Sequence, residues 1–280
     1  FMRQYKNFIL TLSLKKIYAY FFLNDFSKKS YFIYLKNLYF DFLLSKYPKL
    51  DKNNFDKNLN YLINFSEGDL TSTFHEVFEP DYNQDLDKYY KMYEKQIFLR
   101  FLQYSINTKL IRNKYADVYD FAIKKINKPL KILEVGGGVP HGLIFNTWKY
   151  GNKFCENLNY IEADMLHSEF VTWYCKFNSI PLNKKIFTAS KTPTIEGLDF
   201  NFVFAKDIFE HLDNPGKLID DLIAFNKNSE TLLCLDLEHK GTVTTQHINP
   251  NLPIFKKKLV DNNFRVIKEF KEVHVWQKYS

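Results

Sequence analysis

Residues 132–142 read ILEVGGGVPHG, three apolar residues and a glutamate running into a cluster of glycines with a proline inside it. The chain of 280 residues has nine glycines, and Gly136, Gly137, Gly138 and Gly142 all fall in this one stretch. Glycine loses more backbone freedom on folding than any other residue, so such a cluster marks a loop needing positive φ or close approach to its main chain. Gly136 and Gly138 supply that freedom, and a helix starting just behind them would offer unpaired N–H groups to a ligand. The expected unit is a strand, a tight loop and a helix, with the ligand resting on the backbone between them.

The surrounding chain repeats this grammar. From Pro129 onward the apolar segments KILEV, LNYIEA, KKIFTA, FNFVFAK, TLLCLDL, FRVIKEF and EVHVWQK are interspersed with the helical stretches LIFNTWKY, SEFVTWYCKF, PGKLIDDLIAF and PIFKKKLVDNN. This predicts a doubly wound α/β sheet with helices on both faces. Ligands of such sheets sit outside the carboxyl ends of the strands, where the strand order reverses. Residues 1–128 differ. Apolar residues recur there at helical spacing (Leu10, Leu14, Ile17, Phe21; Phe32, Leu35, Leu38, Phe42; Tyr89, Tyr93, Ile97, Phe101), and turn clusters separate them. The expected organisation is an all-helical N-terminal domain, residues 1–128, followed by an α/β domain, residues 129–280.

Composition narrows the partners. A formal charge of +7 would suit an anionic ligand. The basic residues are interleaved with acids, however, and the densest runs are only Lys124-Lys125 and Lys256-Lys257-Lys258. That is a solvated surface, and nucleic acid is not indicated. Cys155, Cys175 and Cys234 lack metal-binding spacing and suit a reducing compartment. The opening FMRQYKNFILTLSLKKIYAYFF breaks its apolar runs at Lys6, Lys15 and Lys16, so it reads as neither signal peptide nor spanning helix. A cytoplasmic protein without membrane attachment is expected.

A dinucleotide-binding loop would be spaced GxGxxG, whereas here glycines stand at 136, 138 and 142 with Pro140 between. Glu134, two residues ahead of the first glycine, would repel a pyrophosphate and pair with an ammonium group. The run Glu134-Val135-Gly136-Gly137-Gly138-Val139-Pro140 resembles motif I of the class I S-adenosylmethionine-dependent methyltransferases, acid-x-Gly-x-Gly-x-Gly, with Pro140 in place of the last glycine. LNYIEAD puts Glu162 at the end of the second strand, where that family places an acid for the two ribose hydroxyls; Asp164 takes its place if the strand runs two residues longer. FNFVFAKDIFEHLDNP, residues 200–215, resembles the family's fourth strand and loop through Asp207, Glu210, His211 and Pro215.

The resemblance spans residues 129–280 and does not reach the first 128. It implies a Rossmann-like, seven-stranded, mostly parallel sheet with S-adenosyl-L-methionine as cofactor. The implied cofactor-binding residues are Glu134, Gly136, Gly137, Gly138, Pro140, Glu162, Ala163, Asp164, Ala189, Ser190, Lys206 and Asp207. The family's common adenine-binding acid after the third strand is missing. Phe187-Thr188-Ala189-Ser190 stands there, leaving backbone groups and the Ser190 hydroxyl.

The implied chemistry is transfer of a sulfonium methyl to a nucleophile, with the protein positioning, excluding water and removing a proton. Asn214-Pro215-Gly216 is not the signature of adenine or glutamine amino-group methylation, and no cysteine follows a proline as in cytosine C5 enzymes. By elimination, the expected acceptor is a small molecule, glycan or metabolite, methylated on oxygen. His211 leads as proton acceptor with Asp207 beside it, and His247 in TTQHINP competes. His211 reads equally as a structural residue of its loop, Asp207 as a helix cap, and His141 as a polar loop residue. No metal site is expected, although Asp207, Glu210 and His211 could copy the metal set of some quinone O-methyltransferases. The helical domain would cover the cofactor mouth, wall the acceptor pocket or form a homodimer. Two other classes stay open: an NAD-type oxidoreductase, opposed by Glu134 and the missing GxGxxG, and a non-catalytic interaction module.

Overall fold

Every side chain of β1 (Leu130–Val135) except Lys131 is buried, as a parallel strand covered on both faces requires. β1 pairs in parallel with β2 (Cys155–Glu162) on one side and β4 (Phe202–Ala205) on the other. β3 (Leu182–Ile186) continues the parallel sheet beyond β2, and β5 (Leu232–Leu235) continues it beyond β4. β6 (Phe264–Phe270) and β7 (Val273–Lys278) pair antiparallel, and β7 lies antiparallel against β5. The order is β3-β2-β1-β4-β5-β7-β6. This is the Rossmann-like sheet of the class I methyltransferase fold, and its strand order reverses between β1 and β4, where sheets of this kind bind their ligands. The computed structural model describes residues 31, 33–46, 48, 52–53, 108–163, 165–188, 190–226, 229–238, 248–249, 251–270 and 273–279.

Among the described residues, five helices accompany the sheet: α1 (Thr108–Ile126), α2 (His141–Tyr150), α3 (Met165–Phe177), α4 (Pro215–Phe225) and α5 (Ile254–Asp261). The start of α4 is set locally. Asn214 accepts the Lys217 N–H, and Pro215 occupies the first turn, where its missing N–H costs nothing. One apolar core joins Leu133, Val135, Val203, Ala205, Leu233 and Leu235 of the strands to Leu218, Ile219 and Leu222 of α4 and Leu259 of α5. On α1, Tyr119 packs edge-on against Phe202 with ring centres 4.9 Å apart, and Tyr115 meets Phe204 in the same way at 5.4 Å. The sheet's outer strands are charged: Lys184 is exposed on β3, and Arg265, Lys268 and Glu269 on β6.

α1 lies before Pro129 in sequence but belongs with the sheet; the described residues from 108 onward form one unit and those of 31–53 another. In the earlier unit the helical residues 33–46 bury Leu35, Leu38, Tyr39 and Phe42, the spacing that the sequence predicts. The helical repeats at Leu10–Phe21 and Tyr89–Phe101 fall outside the described residues. Among the described residues, no helix is long and apolar enough to cross a membrane.

Gly142, inside α2, faces the Tyr119 ring so closely that a Cβ there would collide with it. Gly142→Ala is expected to destabilise the sheet unit by about 1–3 kcal/mol through overpacking. The measurement is a lower urea midpoint with an unchanged slope.

Candidate functional site

The glycine loop leaves β1 at its carboxyl end. Gly136 turns with φ +63° and donates its N–H to the Ile161 carbonyl at 2.8 Å, and Gly138 turns again with φ +55°. Both left-handed positions follow the sequence reading. The reason for the missing side chains does not follow it at two positions. A Cβ on Gly136 would strike Ile208, and one on Gly137 would strike the Glu134 carboxyl, so both glycines make room for the chain's own packing. A Cβ on Gly138 would meet nothing nearer than the His167 imidazole at 3.7 Å, and here the loop stays open.

Glu134 lies beneath this loop, 1% exposed, and accepts a hydrogen bond of 2.7 Å from the Tyr119 hydroxyl. Burial lifts its pKa to about 8, the Tyr119 bond opposes the rise, and the charge of Glu162 adds to it. Burial, followed by the neighbouring Glu134, holds the Tyr119 hydroxyl well above its ordinary pKa, so tyrosine is the donor. The direct ammonium pairing expected of Glu134 is not what this geometry offers. Its carboxyl is sealed under Gly137 and supports the loop from below.

Glu162, at the end of β2, is also buried, 7% exposed, but its oxygens turn to the loop backbone. Its Oε2 accepts the Gly138 N–H at 2.8 Å and the Tyr160 O–H at 3.3 Å, while Oε1 accepts the Ala163 N–H at 2.8 Å. The Tyr160 hydroxyl also donates to the Gly138 carbonyl. Gly138 is therefore clamped from both ends, beside a group that accepts hydrogen bonds. An open glycine next to a carboxylate fits a hydroxyl-bearing ligand such as a ribose.

The third part follows β4. Lys206 pairs with Asp207 and, at 3.7 Å, with Asp236 behind β5, and its ammonium lies 5.8 Å from the centre of the Tyr115 ring on α1. Burial alone would lower the Lys206 pKa, but Asp207, Tyr115 and Asp236 more than offset it and hold it above its ordinary value. Asp207 is exposed and adopts φ +50°, a region few non-glycine residues enter. Burial raises Asp236 to about pH 6 against the pull of Lys206.

His211 ends the short turn Phe209–His211 with its N–H bonded to the Ile208 carbonyl at 3.0 Å and its Nε2 3.9 Å from the Glu210 carboxylate. Asn249 pins this turn by donating its N–H to the Glu210 carbonyl at 3.1 Å and its amide to the Leu212 carbonyl. Ser190 has φ +65°, and its carbonyl accepts the Asp213 N–H at 2.7 Å. Pro140 precedes α2 and its carbonyl accepts the Ile144 N–H at 3.0 Å. His141 is buried, and burial with the nearby His167 lowers its pKa to about 3, so it stays neutral near pH 7. Asp164, Ala189 and His247 lie outside the described residues. No cluster of three or more metal-ligating side chains occurs among the described residues. Sequence reasoning missed Tyr119 and Asp236. Asp236 carries a readable signal, an acid directly behind the apolar run TLLCL; Tyr119 carries none beyond its place in a helix.

By sequence the chain matches no family model and no curated protein. Among solved structures it resembles the YcgJ protein of Bacillus subtilis at 12% identity, covering 54% of this chain and 70% of that one with a TM-score of 0.40. An S-adenosylmethionine-dependent methyltransferase from Aquifex aeolicus aligns at 15% identity over 57% of this chain and 88% of that one, TM-score 0.36. A precorrin-6y C5,15-methyltransferase from Geobacter metallireducens gives 15%, 58% and 87%, TM-score 0.36. Likeness at this level concerns the fold alone, which the strand order defines independently.

Glu134 keeps its proton up to about pH 8 in the folded chain but releases it near pH 4.5 in an unfolded one. Its contribution to stability is therefore full below pH 4.5 and is lost as pH rises through 8. Glu134→Gln, which keeps an acceptor for Tyr119, is expected to remove that loss. Melting temperatures of variant and wild type should diverge in the variant's favour as pH is raised across this window.

Proposed function

We propose that the chain is an S-adenosylmethionine-dependent methyltransferase acting on a hydroxyl of a small molecule, glycan or metabolite. The observation that carries this reading is the clamped, open Gly138 beside Glu162, at the carboxyl ends of β1 and β2. The cofactor, when bound, supplies an electrophilic methyl group on a sulfonium. Glu162 would hold the ribose hydroxyls, the loop backbone would face the methionine part, and the Ser190 region would receive the adenine. Glu134 keeps the loop in place from below and, being largely protonated near neutral pH, adds little charge to the site.

The case against a dinucleotide shifts accordingly. Glu134 no longer supplies the repulsion, but the Glu162 carboxylate occupies the Gly138 N–H that a phosphate would need.

S-adenosylhomocysteine is expected to raise the melting temperature, because a ligand of the native state stabilises it by mass action. Glu162→Ala should weaken that binding by about 1.5–3 kcal/mol, roughly ten- to a hundredfold in Kd by calorimetry. Glu162→Gln, which keeps an acceptor for the Gly138 N–H, should recover part of the loss. A melting temperature that NAD raises and millimolar S-adenosylhomocysteine leaves unchanged would replace this reading with the oxidoreductase one.

A further inference from the structure

The carboxyl ends of β4 and β5 bring together charges that the fold itself does not require. Ala205 and Leu235 are register partners at the ends of the two strands, and the Asp236 N–H continues the ladder to the Ala205 carbonyl at 3.1 Å. Strands about 4.8 Å apart place Asp236 one strand from the end of β4, and so on the side of β1 opposite β2. Lys206 is almost fully withdrawn from solvent, its side chain 6% exposed, and Asp236 nearly so at 11%. Desolvating both charges is costly unless their pairing is close, and this pairing is long at 3.7 Å. The closer partner of Lys206 is Asp207, whose carboxylate stands out in solvent on a left-handed backbone. Strain and buried charge together are what a reacting site retains and a purely structural ion pair has no use for.

We propose that Asp236 is the catalytic proton acceptor of the transfer, held in place and charge-balanced by Lys206. This rests on the methyltransferase reading above. The acceptor hydroxyl gives its proton to the Asp236 carboxylate, and an oxygen lone pair forms the new bond to the methyl carbon. The bond from that carbon to sulfur breaks with its electron pair left on sulfur, which becomes neutral. Asp236 Oδ1 also accepts the Glu238 N–H at 3.3 Å, so the side chain is oriented from its own strand end.

The groups around it act in opposite directions. Lys206 favours its ionised form, while Asp207 from the end of β4 and Glu210 from the following turn favour the protonated one. Tyr115 faces Lys206 from α1, and Lys256 of α5 and His274 of β7 engage Glu238. Burial, with this balance of charges, leaves Asp236 titrating near pH 6, where a carboxylate is basic enough to take a proton and still ionised at neutrality. His211, the base expected from the sequence, sits in a pinned turn beside the Glu210 carboxylate.

The test needs no acceptor. S-adenosylmethionine and S-adenosylhomocysteine share every titratable group and differ by the charged methyl sulfonium. Calorimetry of both ligands near pH 6, in buffers of different ionisation enthalpy, counts the protons released on binding. For the wild-type chain of 280 residues, S-adenosylmethionine should release more protons than S-adenosylhomocysteine, because the sulfonium charge drives Asp236 to ionise. Asp236→Asn should bind both ligands and lose the difference. Lys206→Met should move the pH of greatest release upward, since the carboxylate loses its counter-charge. Equal proton release by the two ligands in the wild type overturns the inference. So does a difference that survives in Asp236→Asn or a profile that Lys206→Met does not move. Absence of binding by either ligand overturns the methyltransferase reading itself and shows separately, as a titration without heat.

Discussion

The hydrogen bond from the Tyr119 hydroxyl to Glu134 is the interaction on which the glycine loop stands. A carboxyl group 1% exposed needs a partner, because leaving one buried polar group unpaired costs about 1–3 kcal/mol. Tyr119 supplies it and fills the space beside Gly142 with the same ring. Glu134 in turn fills the space beneath Gly137. Strand, loop and following helix are thus set against one tyrosine, and that tyrosine comes from a helix preceding the sheet in sequence. The helix is part of the loop's foundation.

Three acids follow the same rule of placement, at or just behind the end of a parallel strand, and environment gives each a different character. Glu134 faces inward, holds its proton and acts as a strut. Glu162, also buried, turns its oxygens to backbone N–H groups of the loop and of its own strand end. Asp236 shares its balancing ammonium, that of Lys206, with the nearer Asp207. Position in the fold and burial are common to all three; the nearest partners separate them.

This also explains what could be read in advance. Strands, their order in the chain and the helix PGKLIDDLIAF were legible because apolar runs and capping residues act locally: Pro215–Phe225 is the helix that its proline and Asn214 announce. The left-handed turns at Gly136 and Gly138 were legible for the same reason. The purpose of each glycine was not. Ile208 lies against Gly136 from a distant loop, and Tyr119 lies against Gly142 from an earlier helix, so neither contact leaves a trace in nearby sequence. The charge state of Glu134 lay beyond the sequence for a related reason. Burial, not residue type, decides it, and burial is a property of the assembled fold.

The outer strands of the sheet have a consequence of their own. A strand at the end of a sheet exposes unpaired N–H and C=O groups and can recruit another strand into a growing ribbon. Here one border shows Lys184 and the other Arg265 and Lys268, with Glu269 beside them. Two copies meeting edge to edge through like borders would bring ammonium and guanidinium groups together at the line where backbone pairing must begin. Lys184 on one border and Arg265 and Lys268 on the other thus disfavour strand addition at the edges of the described sheet.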